Sequence, residues 1–409
     1  MRKKLQSILL VAGLCTVLSA CENSNENPEP VQVEMPENYS FQRNGTSTVN
    51  FSGQTERIRM AMELNTALKA NETATASSLL EMFRNQTAEG GDADPFEDAA
   101  LNAASKSIKE KVASSKDYFS ANASESAILK GYFESWLTAQ ATEVFPNWNE
   151  LATAGKAGQV ADGTSVRYVG TQGYEYNQLV AKGLIGALML DQIVNNYLST
   201  AVLDEGTNRE DNSQAIVVEG EQYTNMEHKW DEAYGYLFGN SATPENPDLS
   251  AGGRDDSFLN NYLRTVESDD DFSGITQEVY DAFKLGRAAI VAGDYSLRDA
   301  QADIIKENLS KVVAIRAVHY LLEGKEKIEQ DNRSGAFHAL SEGVGFAFSL
   351  RFTKNPSTNA PHLPSAEVAA FAQELFKGNG LWDVSPELLG QIASRISSEF
   401  GFTEEQAKD

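Results

Sequence analysis

Two short stretches carry side chains spaced so that they could share chemistry. His228-Lys-Trp-Asp231-Glu232-Ala-Tyr-Gly235-Tyr-Leu-Phe238 and His338-Ala-Leu-Ser341-Glu342-Gly-Val-Gly345-Phe-Ala-Phe348 both read His, three residues, Glu, two residues, Gly, aromatic, one residue, Phe. At about 100° per residue, a helix puts the Glu roughly 40° to one side of the His and the Gly about 20° to the other. All three share one face. An imidazole and a carboxylate one turn apart can reach the same ion, and a set of two His and two Glu suits iron, zinc or another divalent transition metal. Asp231 would assist in the first copy, where the second has Ser341. The competing reading is a pair of hydrogen-bonded core histidines, with each Glu neutralised by a nearby Lys or Arg. Each copy also keeps a helical glycine, which costs on the order of 1 kcal/mol relative to alanine. The repetition therefore predicts that another helix or a ligand packs close beside each His/Glu shelf.

Further polar groups gather at the start of the most apolar helical run. Glu175, Gln178 and Lys182 fall on one face at i, i+3 and i+7, at the mouth of a glycine-rich interruption, and are candidate ligand contacts. Asp269-Asp-Asp271-Phe-Ser-Gly274 begins like a calcium loop, but its twelfth position is Tyr280 where a bidentate Glu is needed. An acidic turn leading into a helix is expected there instead. Glu-x-x-His, His-Glu-x-x-His, Gly-x-Ser-x-Gly and a phosphate-cradling glycine loop are all missing from the sequence, so no nucleophile and base are recognisable together. His319, among Val318, Tyr320 and Leu321, has the surroundings of a core histidine, with axial haem ligation as the alternative. His362, between Pro361 and Leu363-Pro364, is expected at the surface.

These groups must be positioned by a chain that is 41% hydrophobic and 409 residues long, enough to build substantial cores. An Asn44-Gly45 pair between Tyr39-Ser-Phe41-Gln-Arg43 and Thr46-Ser-Thr-Val49-Asn-Phe51 predicts one small hairpin, laid as a lid on the helices. The rest reads as all-α. Helical periodicity covers the stretch from about Ile58 to Leu68, then roughly Ala76 to Gln86, Pro95 to Ser115 and Ser124 to Val144. A long loop is expected from Gly155 to Gly173, followed by a single apolar helix from Tyr174 to about Leu203. Later helices are expected near Asn225 to Phe238, Ser257 to Val266, Thr276 to Ala292, Leu297 to Ile328, Ser334 to Phe352, Ser365 to Phe376 and Ser385 to Phe400. Each His/Glu helix follows a long apolar helix, which suggests a duplicated helix pair and a pseudo-symmetric bundle. The expected division is 39–203 for the hairpin and first helical half, and 204–409 for the second half with both His/Glu helices.

The N-terminus bears on location. Met1-Arg-Lys-Lys4 is basic, and Leu5 to Val17 is apolar but too short to span a bilayer. Leu18-Ser19-Ala20-Cys21 resembles the lipobox of bacterial lipoprotein signal peptides, which implies cleavage of residues 1–20 and lipidation of Cys21. Cys15 would leave with the leader, and no thiol would remain for a disulfide or a metal. Glu22 rather than Asp after the cysteine points to the outer membrane, with its periplasmic and cell-surface faces both open. Residues 21–38, rich in Asn, Glu and Pro, have the composition of a disordered tether able to reach about 55 Å. The formal charge of −25 becomes −28 once Arg2, Lys3 and Lys4 are removed. That field disfavours nucleic acid and anionic lipid head groups as charge-driven partners.

With these residues in view, Gly335-Ala-Phe-His338-Ala-Leu-Ser-Glu342 is similar to the Gly-x-His-x-x-Glu signature of imelysins, helical envelope proteins of two related bundles associated with iron. Here His and Glu are four apart instead of three, and Gly335 lies three before the His instead of two. The hairpin-then-helix start and the Glu175-Tyr-Asn-Gln178-Leu-Val-Ala-Lys182-Gly183 and His228 to Gly235 segments resemble an envelope lipoprotein family encoded beside imelysins and outer-membrane receptors. That resemblance runs from about Tyr39 onward and brings no established activity. Together they imply a non-catalytic binding component of iron, other metal or haem uptake, with His228, Glu232, His338, Glu342 and Asp231 at the metal. An outer-membrane receptor or an imelysin would be the partner. The alternative is a structural or receptor-partner lipoprotein that captures a peptide or glycan, its groove lined by Trp136, Trp148 and Trp230, with the His/Glu helices as core packing.

Overall fold

Asn44 and Gly45 both take positive φ, 53° and 78°, and so form the tight turn that the Asn-Gly pair predicts. The hairpin they close is short, pairing Gln42 with Ser47 and Arg43 with Thr46. It belongs to a computed structural model that describes residues 32–408, of which the part from Val33 onward is one compact unit. The leader, Cys21 and all but the last residues of the tether lie outside the described residues. The described chain is mostly helical, and none of its helices is long and apolar enough to cross a membrane.

The hairpin is clasped onto the first His/Glu helix, Asn225–Phe238. Tyr39 stacks on Tyr234 at 3.6 Å between ring centroids, and its hydroxyl donates to Asp231 at 2.6 Å. Arg43 forms an ion pair with Glu227 at 3.0 Å. Behind them Arg287, on the Ile275–Ala292 helix, donates to Asp231, Glu227 and Thr48, with all four side chains buried. The three-helix core of the C-terminal part follows the sequence closely. Gly293 ends Ile275–Ala292 in a left-handed conformation, Asp294 caps Tyr295–Glu329, and Asn332 caps Arg333–Ser349, which folds back along that long helix.

Three expectations need correction. The helix expected over 95–115 is two short pieces, Ala99–Ala103 and Ile108–Lys111. Asp98 and Ser107 each accept a backbone N–H as fresh caps, and Ala113 turns the chain at φ 47°. The loop expected over 155–173 contains a second hairpin, Gly158–Asp162 against Ser165–Val169, reversed around Gly163 at φ 58°. Alternation of burial is confined to the first strand, since the second runs from exposed to buried along its length. The single helix expected over 174–203 is Tyr176–Leu184 continued by π-helical turns at Ile185–Leu190 and Ile193–Tyr197.

The first π segment has a local cause. Ser349 donates to the Lys182 carbonyl at 2.8 Å and accepts from the Gly186 N–H at 3.1 Å. Those two groups would otherwise bond to each other in an α-helix, so the hydroxyl sits inside the ladder and widens the turn. The intrusion needs Gly186, because a Cβ there would lie 2.4 Å from the Ser349 Cβ. One turn earlier on Arg333–Ser349, a Cβ on Gly345 would lie 2.6 Å from the Lys182 Cβ. In the first copy a Cβ on Gly235 would lie 2.3 Å from the Phe51 Cβ and 3.2 Å from that of Gln54. Close packing beside each shelf is thus real, and protein supplies it in both copies.

Gly345→Ala is expected to lose about 1–3 kcal/mol in urea unfolding, through overpacking at the seam. Gly131→Ala, inside Ala123–Ala139 with no atom within 4 Å of the new methyl, is expected to gain about 0.5–1 kcal/mol. Equal effects at the two sites would show that the close approach at Gly345 is not constraining.

Candidate functional site

The seam between Tyr176–Leu184 and Arg333–Ser349 brings together residues that the sequence places in two separate sets. His338 stands between two carboxylates, Nδ1 3.1 Å from a Glu175 oxygen and Nε2 3.6 Å from a Glu342 oxygen. Lys182, whose stem lies under Gly345, reaches the same Glu342 oxygen at 3.2 Å. Its ammonium also lies 5.1 Å from the Tyr262 ring centroid, and the Tyr262 hydroxyl approaches the other Glu342 oxygen at 3.5 Å. Glu175, Lys182 and Glu342 are buried, and His338 is half-buried. Burial works to raise the Glu342 pKa, but Lys182, Tyr320 and His338 outweigh it and hold the carboxyl below its ordinary range. The backbone is fixed as well: the Glu175 N–H donates to Ser341, whose hydroxyl donates to the Phe337 carbonyl.

Gln178 faces elsewhere. With Glu175 it lines a cavity of about 210 Å³ beneath the second hairpin, where Trp148 stacks on Tyr168 at 3.5 Å.

The first copy is a different arrangement. The His228 ring stacks on Tyr223, with its Nε2 3.9 Å from Glu232. Glu232 accepts from Lys229 at 2.7 Å and from Gln54 at 2.9 Å. Burial lowers the His228 pKa, Glu232 opposes it, and Lys229 adds to the lowering. Asp231 points away from this shelf to Arg287 and Tyr39, where burial pushes its carboxyl up to about 6 against the pull of both. The structure therefore does not bring Asp231 to His228 and Glu232. Among the described residues no three His, Cys, Asp or Glu side chains are placed to hold one ion.

The remaining histidines are fixed by packing. His319 donates from Nδ1 to the Ala407 carbonyl at 3.1 Å, and burial helped by Arg316 lowers its pKa to about 4. His362, expected at the surface, is instead buried and stacked on Phe400 at 4.2 Å, because Leu363 beside it is drawn into the core. Of the three tryptophans proposed to line a groove, Trp230 is in the core and donates to the Phe283 carbonyl.

Trp136 lines a cavity of about 380 Å³ on the far side of the seam, walled by Tyr132, Leu179, Val344, Phe348, Arg351, Val368 and Phe376. Sequence reasoning missed this cavity, although Phe348 ends the repeated pattern and Leu179 belongs to the apolar run. Its walls come from four segments far apart in the chain, which periodicity cannot bring together.

A mostly helical body with a clasped N-terminal hairpin and a charged seam is the architecture of the site. The chain belongs to the family described as Domain of unknown function (DUF4856), whose match covers residues 36–403. No curated protein and no solved structure matches it.

Arg287→Met leaves Asp231 buried without its cation and Glu227 with Arg43 alone, and is expected to cost about 3–5 kcal/mol in urea unfolding. A loss under about 1 kcal/mol would contradict the buried-network account. His319 binds a proton less readily folded than unfolded, so its contribution is fully present above pH 6.5 and is lost as pH falls toward about 4. His319→Gln is expected to flatten the stability curve over that window by on the order of 2 kcal/mol. Parallel curves for the variant and the unaltered protein would refute it.

Proposed function

We propose that this chain is a non-catalytic, lipid-anchored binding protein of the outer membrane that captures an organic ligand for a receptor or other envelope partner. The observation that carries the reading is the cavity of about 380 Å³ beside the seam, mainly apolar and aromatic in its walls and within the size range of ligand pockets. The leader and Cys21 support the anchoring, and the acidic body suits a soluble capture module held off the membrane by a tether. The two His/Glu helices are read as copies of one ancestral element, a view supported by the close helix packing at Gly235 and Gly345 alike.

Iron, implied by the imelysin resemblance, is a poor fit to these residues. His338 presents its two nitrogens to different carboxylates, and Glu342 already holds the Lys182 ammonium. An ion would have to displace a buried cation to reach Glu342. The His228 shelf is likewise taken up by Lys229 and Gln54.

The test combines a ligand and a metal. The body from Val33 onward is expected to bind the uncharged dye N-phenyl-1-naphthylamine with a fluorescence increase, and Ala369→Trp, which fills the cavity, is expected to remove it. Titration with Fe(II) and Zn(II) is expected to give no stoichiometric binding that His228→Ala with His338→Ala abolishes. Dye binding that survives Ala369→Trp would overturn the cavity assignment. One-to-one metal binding lost in the double variant would restore the metal reading.

A further inference from the structure

The apolar cavity contains one group that does not belong in an apolar wall. Arg351 is only 7% exposed, yet its guanidinium has no ion-pair or hydrogen-bond partner among the described residues, and its Nη1 is fully shielded. The Phe348 ring lies beside it, 4.9 Å from the guanidinium carbon to the ring centroid, and the Tyr132 side chain of the same cavity is also near enough to act on it electrostatically. Glu125 acts on it through space without a hydrogen bond, while Tyr118 and Ser365 donate to that carboxylate. Arginine stays protonated under any physiological condition, so this is a buried positive charge with no counter-charge in direct contact. Such a group is costly unless an anion completes it.

The other walls state what that anion must be attached to. Val344, Leu179 and Val368 are fully buried around the cavity, and Trp136, Phe348 and Phe376 present aromatic faces. A hydrophilic anion such as phosphate would desolvate there without compensation. A carboxylate on an apolar body satisfies both halves, its two oxygens matching the guanidinium fork and its hydrocarbon filling the rest. We infer that the Arg351 cavity binds the free carboxylate of a small apolar acid, an acyl chain or an aromatic ring acid, with Arg351 as the anion partner. The inference rests on the capture reading above and narrows its ligand to one chemical class.

Dodecanoate and dodecanol, of equal chain length, separate the two layers by isothermal titration against the body from Val33 onward. Dodecanoate is expected to bind one-to-one and at least about tenfold more tightly than dodecanol. Arg351→Met is expected to weaken dodecanoate by at least about tenfold and leave dodecanol unchanged, with Arg351→Lys recovering part of the loss. Ala369→Trp is expected to remove both. If the two ligands bind alike and Ala369→Trp removes both, the anion inference falls while ligand capture stands. If neither binds the unaltered protein, both fall. Binding of a free-carboxylate apolar peptide without dodecanoate binding would also overturn the inference. Should Arg351→Met fail to fold, the dodecanoate to dodecanol ratio on the unaltered protein decides.

Discussion

The seam between Tyr176–Leu184 and Arg333–Ser349 depends on two glycines that let helix backbones approach without a Cβ between them. Gly345 admits the Lys182 stem, and Gly186 admits Ser349. Much else follows from that approach. Lys182 is delivered to Glu342, His338 is left between Glu342 and Glu175, and Leu179 is set against Val344 to form part of the cavity wall. The Ser349 hydroxyl then converts the next turns of the apolar helix to π geometry, which changes the direction of every side chain from Ile185 onward. One helix face thus carries charge and the neighbouring turn carries the apolar hollow.

A net charge of −25 coexists with an interior that holds cations. Arg264, Arg287, Arg298, Arg316 and Arg351 are all buried, and the first four are accommodated in quite different ways. Arg287 has two carboxylates, and Arg298 has Asp204 and Asp299. Arg316 lies over the Tyr262 and Tyr320 rings, and Arg264 combines the Phe238 ring with the Gly253 carbonyl. The acidic surplus therefore belongs mainly to the surface and says little about the site.

Much of the helical architecture could be read from periodicity, and Asn44-Gly45 announced the first hairpin. The repeated glycines correctly signalled close packing, because a helical glycine has a measurable cost that something must offset. What could not be read was which neighbour provides the packing and where each acid turns. Asp231 and Glu232 are adjacent, about 100° apart on the helix, so they enter different surroundings. Arg287, 56 positions away, takes the first, while Lys229 and Gln54 take the second. The first π segment escaped for a similar reason, since its cause is a hydroxyl 163 residues away from Gly186. Arg351 was invisible as a site because the lack of a partner is a property of the folded surroundings and not of any sequence pattern.

The hairpin clasp also fixes where the N-terminal segment enters the folded body. Lys284 donates to the Glu37 carbonyl, the Tyr39 N–H donates to the Glu245 carbonyl, and the Tyr39 hydroxyl donates to Asp231, the carboxylate that Arg287 neutralises. The N-terminal segment thus enters the folded body at its buried ion network and not at a peripheral loop. A load carried along that segment would reach, through Tyr39, the carboxylate that Arg287 neutralises. The place where the chain enters the body and the buried ion network are one structure.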